Sequence, residues 1–222
     1  LYKNLSRESV LEEIDLSLER LGASYIDIYM SHWQAVEPYD TPISETMELL
    51  GELKEKGKIR AIGAANVTVS QVEEYIKYGG IDIVQAKYSV LDRAVEEELL
   101  PLCKENGIVL QAYSPLEMGL LSGALPRDYK PVGAQRNKKW FQPENMPKVM
   151  DFLDRLEPMC GKYDCAVADL AMAWVLAQGD KVILLSGATT EEQIRKNTRA
   201  DELELDSEDV AAIREMAEAL DA

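Results

Sequence analysis

The sequence predicts an α/β protein with a parallel sheet, and two observations support this. Five short runs are almost continuously apolar and rich in β-branched residues, which is typical of strands covered on both faces. Segments with helical periodicity lie between these runs, and repeated strand–helix alternation is the pattern of the α/β class. The runs are residues 25–31, 59–63, 81–88, 107–114 and 181–186.

Helix-end signals place the first two helices. Ser6 is expected to cap a helix whose apolar residues share one face, and Gly22 is expected to end it. Thr41 followed by Pro42 predicts a cap and a first helical residue, because proline is tolerated where the backbone N–H has no helical partner. Gly57 is expected to stop this second helix.

Later helices are predicted from similar signals. Thr68 and Gln71 have the spacing of a capping box, which predicts a third helix after the second run. Residues 166–177 are mostly apolar, so the helix expected there should be well buried. The remaining helices are predicted at 94–106, 190–197 and 207–220.

Residues 116–147 interrupt this alternation. The segment is rich in glycine and proline and has no clear periodicity. Because long irregular loops in compact domains are usually functional, we favour a functional loop, with a mobile insertion as the alternative.

Two arrangements of the sheet fit the alternation: an open doubly wound sheet and a (β/α)8 barrel. No G-x-G-x-x-G turn follows any of the runs, so the usual dinucleotide-binding turn of the open arrangement is missing. A barrel needs eight strands and about 250 residues, whereas this sequence has five runs in 222 residues. Either the sheet is open or three strands lie outside this sequence, which begins with Leu1 and not with methionine.

Composition narrows the classes of partner. The formal net charge of −16 repels nucleic acid and anionic lipid, so we expect neither as a partner. No apolar run is long enough for a membrane span, and we expect no signal peptide. Three scattered cysteines and one histidine do not make a usual zinc site, so we expect no metal. We interpret the cysteines as free thiols of a cytoplasmic protein.

The carboxyl ends of the runs, where β/α proteins bind ligands, carry polar and aromatic residues. The first run leads into His32, the only histidine, which is either a hydrogen-bonded structural residue or one that faces a ligand. Asn66, Gln85 and Tyr113 follow at the ends of the next three runs, and a glycine-containing turn follows the fifth. Amides, an aromatic face and such a turn before a helix suit a planar, amide-bearing ring with a diphosphate tail.

Together and in this order, five stretches resemble the aldo-keto reductases, and the resemblance covers essentially all of residues 5–222. It is closest to a bacterial branch of the family that has a segment of the type "FQPENMPKVMDFLDRLEPM". It implies a single (β/α)8 barrel domain, of which residues 1–222 supply the C-terminal portion with strands four to eight. The stretches are "LERLGASYIDIYMSH", "GKIRAIGAANVTVSQV", "VQAKYSVLDR", "GIVLQAYSPLEMGLLSG" and "ILLSGATTEEQIRKN".

The resemblance implies an NADP- or NAD-dependent oxidoreductase that interconverts a carbonyl compound (an aldehyde, ketone or sugar) and an alcohol. In the family a histidine orients the carbonyl, and His32 matches it. Asn66 and Gln85 match the residues that hold the nicotinamide carboxamide, and Tyr113 matches the ring stacked on the nicotinamide. The remaining matches are Ser114, Leu116 and Gly119 along the pyrophosphate, and Gly187, Thr190, Gln193 and Asn197 at the adenosine end.

This sequence also departs from the family pattern. Ala65 replaces the serine that usually precedes the asparagine, which removes one carboxamide partner. Glu191 and Glu192 lie where acidic groups disfavour a 2′-phosphate, whereas Arg195 and Lys196 are long enough to reach one. The choice between NAD and NADP therefore stays open.

The family's catalytic aspartate, tyrosine and lysine lie on its first three strands and have no match here. On this interpretation the chain as given is inactive alone. It is part of a longer reductase, a non-catalytic nucleotide-binding or regulatory module, or an inert fragment. Self-association that covers open sheet edges is a further expectation. Trp33 and Tyr88 are candidate substrate-pocket residues, together with Trp140 and Phe141, and packing beneath the long loop is the alternative for all four.

Overall fold

The computed structural model describes residues 3–220, in which helices separate the successive strands. Each of the five apolar runs forms a strand within two residues of its predicted bounds, which confirms the α/β class. The strands are β1 (Ile26–Ser31), β2 (Ile59–Ala65), β3 (Ile83–Lys87), β4 (Val109–Tyr113) and β5 (Val182–Leu185). The α-helices are α1 (Arg7–Leu21), α2 (Ile43–Glu55), α3 (Val69–Lys77), α4 (Leu99–Glu105), α5 (Met146–Tyr163), α6 (Val167–Leu176), α7 (Glu191–Asn197) and α8 (Ser207–Glu218).

The five strands form one parallel sheet in the order β1-β2-β3-β4-β5. Ser31 pairs with Ala64, and Ala65 pairs with Gln85, so the carboxyl ends of the first three strands are in register. A doubly wound sheet reverses its strand order at a switch point, whereas a β/α barrel keeps sequence order. The observed order therefore favours the barrel type of the two arrangements that the sequence left open.

Most predicted helix ends are confirmed, with one shift. Gly22 and Gly57 follow α1 and α2 with φ values of 62° and 70°, a left-handed conformation that glycine adopts without strain. Thr68 and Gln71 form the predicted capping box at α3. The cap of α2 is Pro42 and not Thr41, because the backbone at Pro42 is still extended and helical dihedrals begin at the next residue.

Two helical regions differ from the prediction. The helix predicted over residues 94–106 is divided into a short 3₁₀ turn (Ala94–Glu96) and α4, since Glu98 between them has φ −137°. Helix α5 was not predicted, because Pro147 and Pro158 obscured its periodicity. Pro147 lies in its first turn, where proline is tolerated, and Pro158 lies within the helix. The preceding segment contains only short 3₁₀ turns, as its composition indicated.

The chain divides into two compact units. The first unit runs to Ala86 and includes Val95–Gln111, whereas the second comprises Lys87–Ala94 and the chain from Ala112 onward. Whether they form one domain, as the resemblance implies, stays a prediction. The core of the first unit includes the fully buried Ile14, Leu50, Val72, Val84 and Leu110. The core of the second includes Tyr88, Leu120, Phe152, Met172 and Trp174.

The outermost strands of the sheet expose apolar side chains. Ile28 on β1 and Leu185 on β5 are each more than two-fifths exposed. These residues lie on the strands for which open edges were expected, and self-association there stays a prediction. Within residues 3–220, no helix combines the length and apolarity needed to cross a membrane.

Candidate functional site

His32, Asn66 and Gln85 meet in the first unit at the carboxyl ends of β1, β2 and β3. The Asn66 side chain donates a 2.9 Å hydrogen bond from Nδ2 to the backbone carbonyl of His32. Its backbone N–H donates to the carbonyl of Gln85 at 3.3 Å. Asn66 therefore links the carboxyl ends of β1, β2 and β3, where the sequence predicts that a ligand binds.

The conformation of Asn66 explains how it makes both bonds. Its φ of 55° lies in the left-handed region, which asparagine enters at lower cost than most residues with a side chain. Ala65, the departure from the family pattern, is completely buried and presents only a methyl group. The Gln85 amide donates to Oε1 of Gln111 on β4 at 2.8 Å, which fixes its orientation. These contacts hold two amide groups in place beside an exposed imidazole.

Trp33, a predicted pocket residue, lies on the surface of the first unit. Its ring is 44% exposed. The ammonium of Lys3 lies 3.9 Å from the ring centroid, and the His32 ring approaches it edge-on at 6.3 Å. The indole is therefore accessible to a small molecule that binds at His32.

A cavity of about 850 Å³ lies in the second unit. Its size lies within the range typical of ligand and cofactor sites. Seven of the ten residues predicted to bind a cofactor line it, although they come from β4, the turn after it, the loop after β5, and α7. These seven are Tyr113, Ser114, Leu116, Gly119, Gly187, Gln193 and Asn197.

Hydrogen bonds shape the α7 side of this cavity. Thr190 caps α7 by accepting a 3.2 Å bond from the backbone N–H of Gln193. The Gln193 side chain accepts from the backbone N–H of Thr189 at 2.7 Å, and Asn197 Nδ2 donates to the Gly187 carbonyl at 3.3 Å. Thr190 does not itself line the cavity, and it acts there through the helix it caps.

The turn at residues 114–119, called here the wall turn, forms the β4 side of the cavity. Ser114, Glu117 and Met118 have φ values of 55°, 46° and 55°, and Gly119 has φ 94°. Each non-glycine residue in the left-handed region costs of the order of 1 kcal/mol or more. The turn is therefore strained and depends on its surroundings.

A partly buried charged cluster lies against this turn. Lys87, the last residue of β3, contacts Asp92 at 2.8 Å and Glu117 at 2.9 Å through its ammonium group. Burial alone would lower the pKa of Lys87, but its hydrogen bond to Asp92 and the charge and hydrogen bond of Glu117 outweigh that effect, and the pKa is raised. Lys87 is therefore a charged, fully partnered lysine at neutral pH. The sequence placed Lys87 at a strand end but did not indicate its partners.

The charges on α7 are paired along the helix. Arg195 contacts Glu191 at 2.6 Å and Lys196 contacts Glu192 at 2.7 Å, both at i, i+4 spacing. The hydrogen bond from Lys196 lowers the pKa of Glu192. Arg199, which sequence analysis missed, also lines the cavity and donates to the Asp164 carbonyl at 3.0 Å. Its place four residues after Arg195 in the sequence was the available signal.

The aromatic residues considered for a substrate pocket lie mostly in the core. Tyr88 has no exposed surface, and its ring packs edge-on against Trp174 at 6.2 Å, so a pocket role finds no support in this placement. Trp140 and Phe141 are also buried, and the Trp140 indole donates to the Leu91 carbonyl at 3.2 Å. Packing, the alternative considered for these residues, describes their positions.

None of the three cysteines is among the residues that line this cavity. All three are free. Burial raises the pKa of the Cys103 and Cys160 thiols to about 11, which keeps them protonated at neutral pH. Among the described residues, no three histidine, cysteine or acidic side chains cluster as metal ligands would.

Comparison with known proteins finds relatives that are similar over almost the whole chain. The aldo/keto reductase family model matches residues 2–218. The chain is 59% identical to the NADH-specific methylglyoxal reductase of Escherichia coli (strain K12) over 221 residues, which is 100% of this chain and 68% of that protein. It is 32% identical to the aldo-keto reductase YhdN of Bacillus subtilis (strain 168), over 98% of this chain and 66% of the relative.

Solved structures agree with the sequence matches. The glycerol dehydrogenase AKR11B4 from Gluconobacter oxydans superposes with a TM-score of 0.90 at 29% identity, over 96% of this chain and 64% of that one. A thermostable aldo-keto reductase superposes with a TM-score of 0.75 at 27% identity, over 96% and 68% of the respective chains. The chain spans about two thirds of the length of these relatives.

Proposed function

Because the chain belongs to the aldo/keto reductase family, we propose that it takes part in the NADH-dependent reduction of methylglyoxal or a similarly small carbonyl compound. One observation carries the proposal: seven residues predicted independently as cofactor contacts line a single cavity of about 850 Å³. The substrate class rests on the relative that is 59% identical, a methylglyoxal reductase.

The cavity suits a dinucleotide. It combines the aromatic ring of Tyr113 with the hydroxyls of Ser114 and Ser122, and the cation Arg199 supplies positive charge for a diphosphate. Gly119 and Gly187 have open space where a Cβ would lie, so the backbone can approach a ligand closely. An extended ligand with a flat ring and a dianionic centre matches this lining.

In this proposal the second unit binds and orders the cofactor. The Tyr113 ring stacks on the nicotinamide, and the wall turn, through Ser114, Leu116 and Gly119, follows the pyrophosphate. The adenosine end lies against α7 and the loop before it, where Gln193 and Asn197 contribute amide groups and Gly187 contributes backbone. Thr190 caps α7 and so stabilises the first turn of that helix.

The first unit carries the residues that the resemblance assigns to a carboxamide and to a carbonyl substrate. Asn66 and Gln85 present amide groups that match a carboxamide in donors and acceptors. His32, exposed at the end of β1, donates a hydrogen bond to the carbonyl oxygen and so polarises it. When bound, reduced nicotinamide supplies a hydride to the carbonyl carbon.

The α7 charges favour NADH over NADPH. Arg195 and Lys196, the cations with the reach for a 2′-phosphate, are each engaged by a glutamate one turn earlier. A phosphate there would compete with Glu191 and Glu192 and meet their charge, whereas a ribose hydroxyl would not. The preference follows from this local neutralisation, and it agrees with the NADH specificity of the 59% identical relative.

The proton for the alkoxide comes, in this proposal, from groups outside the sequence. The resemblance gives no match in this sequence for the family's aspartate, tyrosine and lysine, and the described residues form five strands where the family barrel has eight. The matched set consists of His32 and the cofactor contacts. We propose that this chain forms strands four to eight of such a barrel.

A binding and turnover assay tests the function. The protein is titrated with NADH and NADPH by nucleotide fluorescence. NADH oxidation is followed in a chain that also carries the family's first three strands, with methylglyoxal and, as the contrasting substrate, an aldose sugar. We expect micromolar binding of NADH, weaker binding of NADPH, and turnover fastest with methylglyoxal. If neither nucleotide binds at millimolar concentration, the proposed function is wrong, and binding without turnover of any carbonyl would instead identify a non-catalytic nucleotide-binding module.

A further inference from the structure

The wall turn separates two cavities of the second unit. Leu116, Met118 and Gly119 line the large cavity proposed to hold the cofactor. Glu117, between them, lines a smaller cavity of about 250 Å³ on the other side. The conformation of Glu117 therefore affects the positions of Leu116, Met118 and Gly119, which line the large cavity.

The Glu117 carboxylate is held by two donors and is only 4% exposed. Oε2 accepts from the Lys87 ammonium at 2.9 Å, and Oε1 accepts from the Ser89 hydroxyl at 2.6 Å. The Ser89 oxygen accepts in turn from the backbone N–H groups of Leu91 and Asp92, which fixes the direction of its own proton. The carboxylate is thus anchored to the end of β3 and to the loop that follows it.

The backbone of the wall turn has a second anchor on another segment. The Gln135 side chain donates from Nε2 to the Met118 carbonyl at 3.1 Å. Its Oε1 accepts from the Tyr129 hydroxyl at 2.9 Å and from the Val132 N–H at 3.0 Å. The irregular segment between β4 and α5 therefore supplies a specific contact to the same turn.

We propose that Lys87 and Glu117 are positioning residues for the cofactor: their buried ion pair holds the wall turn in the left-handed conformation that shapes the diphosphate part of the large cavity. This inference rests on the proposed function. Three non-glycine residues of the turn in the left-handed region, Ser114, Glu117 and Met118, would relax if the side-chain anchor were removed. Relaxation would move Leu116 and Gly119, which line the cavity.

The positions of Lys87 and Glu117 distinguish a positioning role from direct contact with the cofactor. Glu117 faces away from the large cavity and both of its oxygens have donors. Lys87 is likewise absent from the lining of the large cavity, and it bridges Asp92 and Glu117. Neither residue touches the proposed cofactor, so both act through the backbone of the turn.

The test measures which part of the cofactor each variant affects. Dissociation constants for NADH, ADP-ribose and AMP are measured by calorimetry for the protein, for Glu117→Ala, for Lys87→Arg, and for the double variant Lys87→Met with Glu117→Gln. The double variant removes the ammonium together with the more buried carboxylate and leaves only the partly exposed Asp92 without Lys87, so it remains informative if Glu117→Ala fails to fold. We expect NADH and ADP-ribose to bind about tenfold more weakly to Glu117→Ala and to the double variant. AMP lacks the second phosphate, so its affinity for these two variants should stay within about twofold of its affinity for the unchanged protein. Lys87→Arg should retain most of the NADH affinity.

Lys162→Met is the matched control. Lys162 also bridges two carboxylates, Asp206 and Asp209, at 2.6 Å each, but it does not line the cavity. It should leave all three dissociation constants unchanged. Unchanged NADH binding in folded Glu117→Ala and the double variant would overturn the positioning role alone, as would an equal loss of AMP binding, which indicates general destabilisation. If the unchanged protein binds none of the three ligands, the proposed function fails and this inference fails with it.

Discussion

The two compact units hold their candidate site residues by different means. In the first unit Asn66 contacts the two neighbouring strand ends directly, and the positions of His32 and Gln85 follow from sheet register. In the second unit the cavity depends on a strained turn and a short capped helix, which side chains from distant segments hold in place. The register of the sheet therefore positions the site residues of the first unit, and side-chain contacts position those of the second. We expect substitutions in the first unit to affect chemistry or stability, and those in the second to affect cofactor affinity.

The largest effect is expected at His32. Replacing it by alanine removes the hydrogen-bond donor to the carbonyl oxygen, and loss of one such donor lowers kcat about a hundredfold. NADH affinity should stay within about twofold, because His32 is not one of the residues that line the large cavity. Steady-state kinetics with methylglyoxal and an NADH titration measure the two quantities. Arg60→Ala, an exposed residue of β2 paired with Asp27, is the control. A variant with weakened NADH binding and normal kcat would contradict the division of roles.

Gly63 tests how tightly β1 and β2 are packed. A Cβ at this position would meet the Met30 side chain, whose Cε would lie 2.9 Å away, and the Ile83 carbonyl at 3.4 Å. Gly63→Ala should therefore lower the free energy of unfolding by about 1–3 kcal/mol, as overpacking does. Adding Met30→Ala should recover part of that loss, which chemical denaturation can show. If the two losses simply add, the clash does not exist.

The acidic residues of α7 test the basis of nucleotide preference. Changing Glu191 and Glu192 to glutamine together releases Arg195 and Lys196, so NADPH affinity should rise about fivefold while NADH affinity changes little. The gain should shrink at high salt, because both pairs are exposed. Competition titrations at two ionic strengths measure this. Glu208→Gln in the first turn of α8 is the matched control. An equal gain for both nucleotides would indicate a general charge effect.

The smallest effects are expected at two helix caps, one in each unit. Loss of a threonine cap costs about 1 kcal/mol. At Thr68 that cost should appear as lower unfolding free energy with NADH binding unchanged. Thr190→Ala should weaken NADH binding about threefold, because α7 carries Gln193 and Asn197 into the cavity. Thermal melts and NADH titrations of both variants distinguish the two outcomes. Reduced NADH affinity in Thr68→Ala would remove the contrast between the units.

Local signals explain how much of this architecture the sequence could predict. Continuous apolar runs fix strands, and a threonine three residues before a glutamine fixes a cap, because both depend on neighbouring residues. The strand-end amides could likewise be placed from register alone. Helix α5 was missed because Pro147 and Pro158 suggest a break, although Pro147 occupies a first turn that tolerates it.

The anchors of the wall turn could not be predicted, because they join segments far apart in the chain. Lys87 and Glu117 are thirty residues apart (|i−j| = 30), and Gln135 comes from a segment with no periodicity. Nothing in local spacing says that a glutamate after a strand faces a lysine at the end of the preceding strand. Tyr88 illustrates the opposite error, since an aromatic residue at a strand end suggested a pocket, whereas its ring lies in the core against Trp174.

The most direct test of the central claim is a crystal structure of the protein with NADH bound. We predict the nicotinamide ring stacked on Tyr113, the diphosphate against Ser114 and Gly119 of the wall turn, and the adenosine beside Gln193 and Asn197. The Lys87–Glu117 contact should be intact in that complex. NADH bound elsewhere, or bound in this cavity with the wall turn rearranged and that contact broken, would contradict the account.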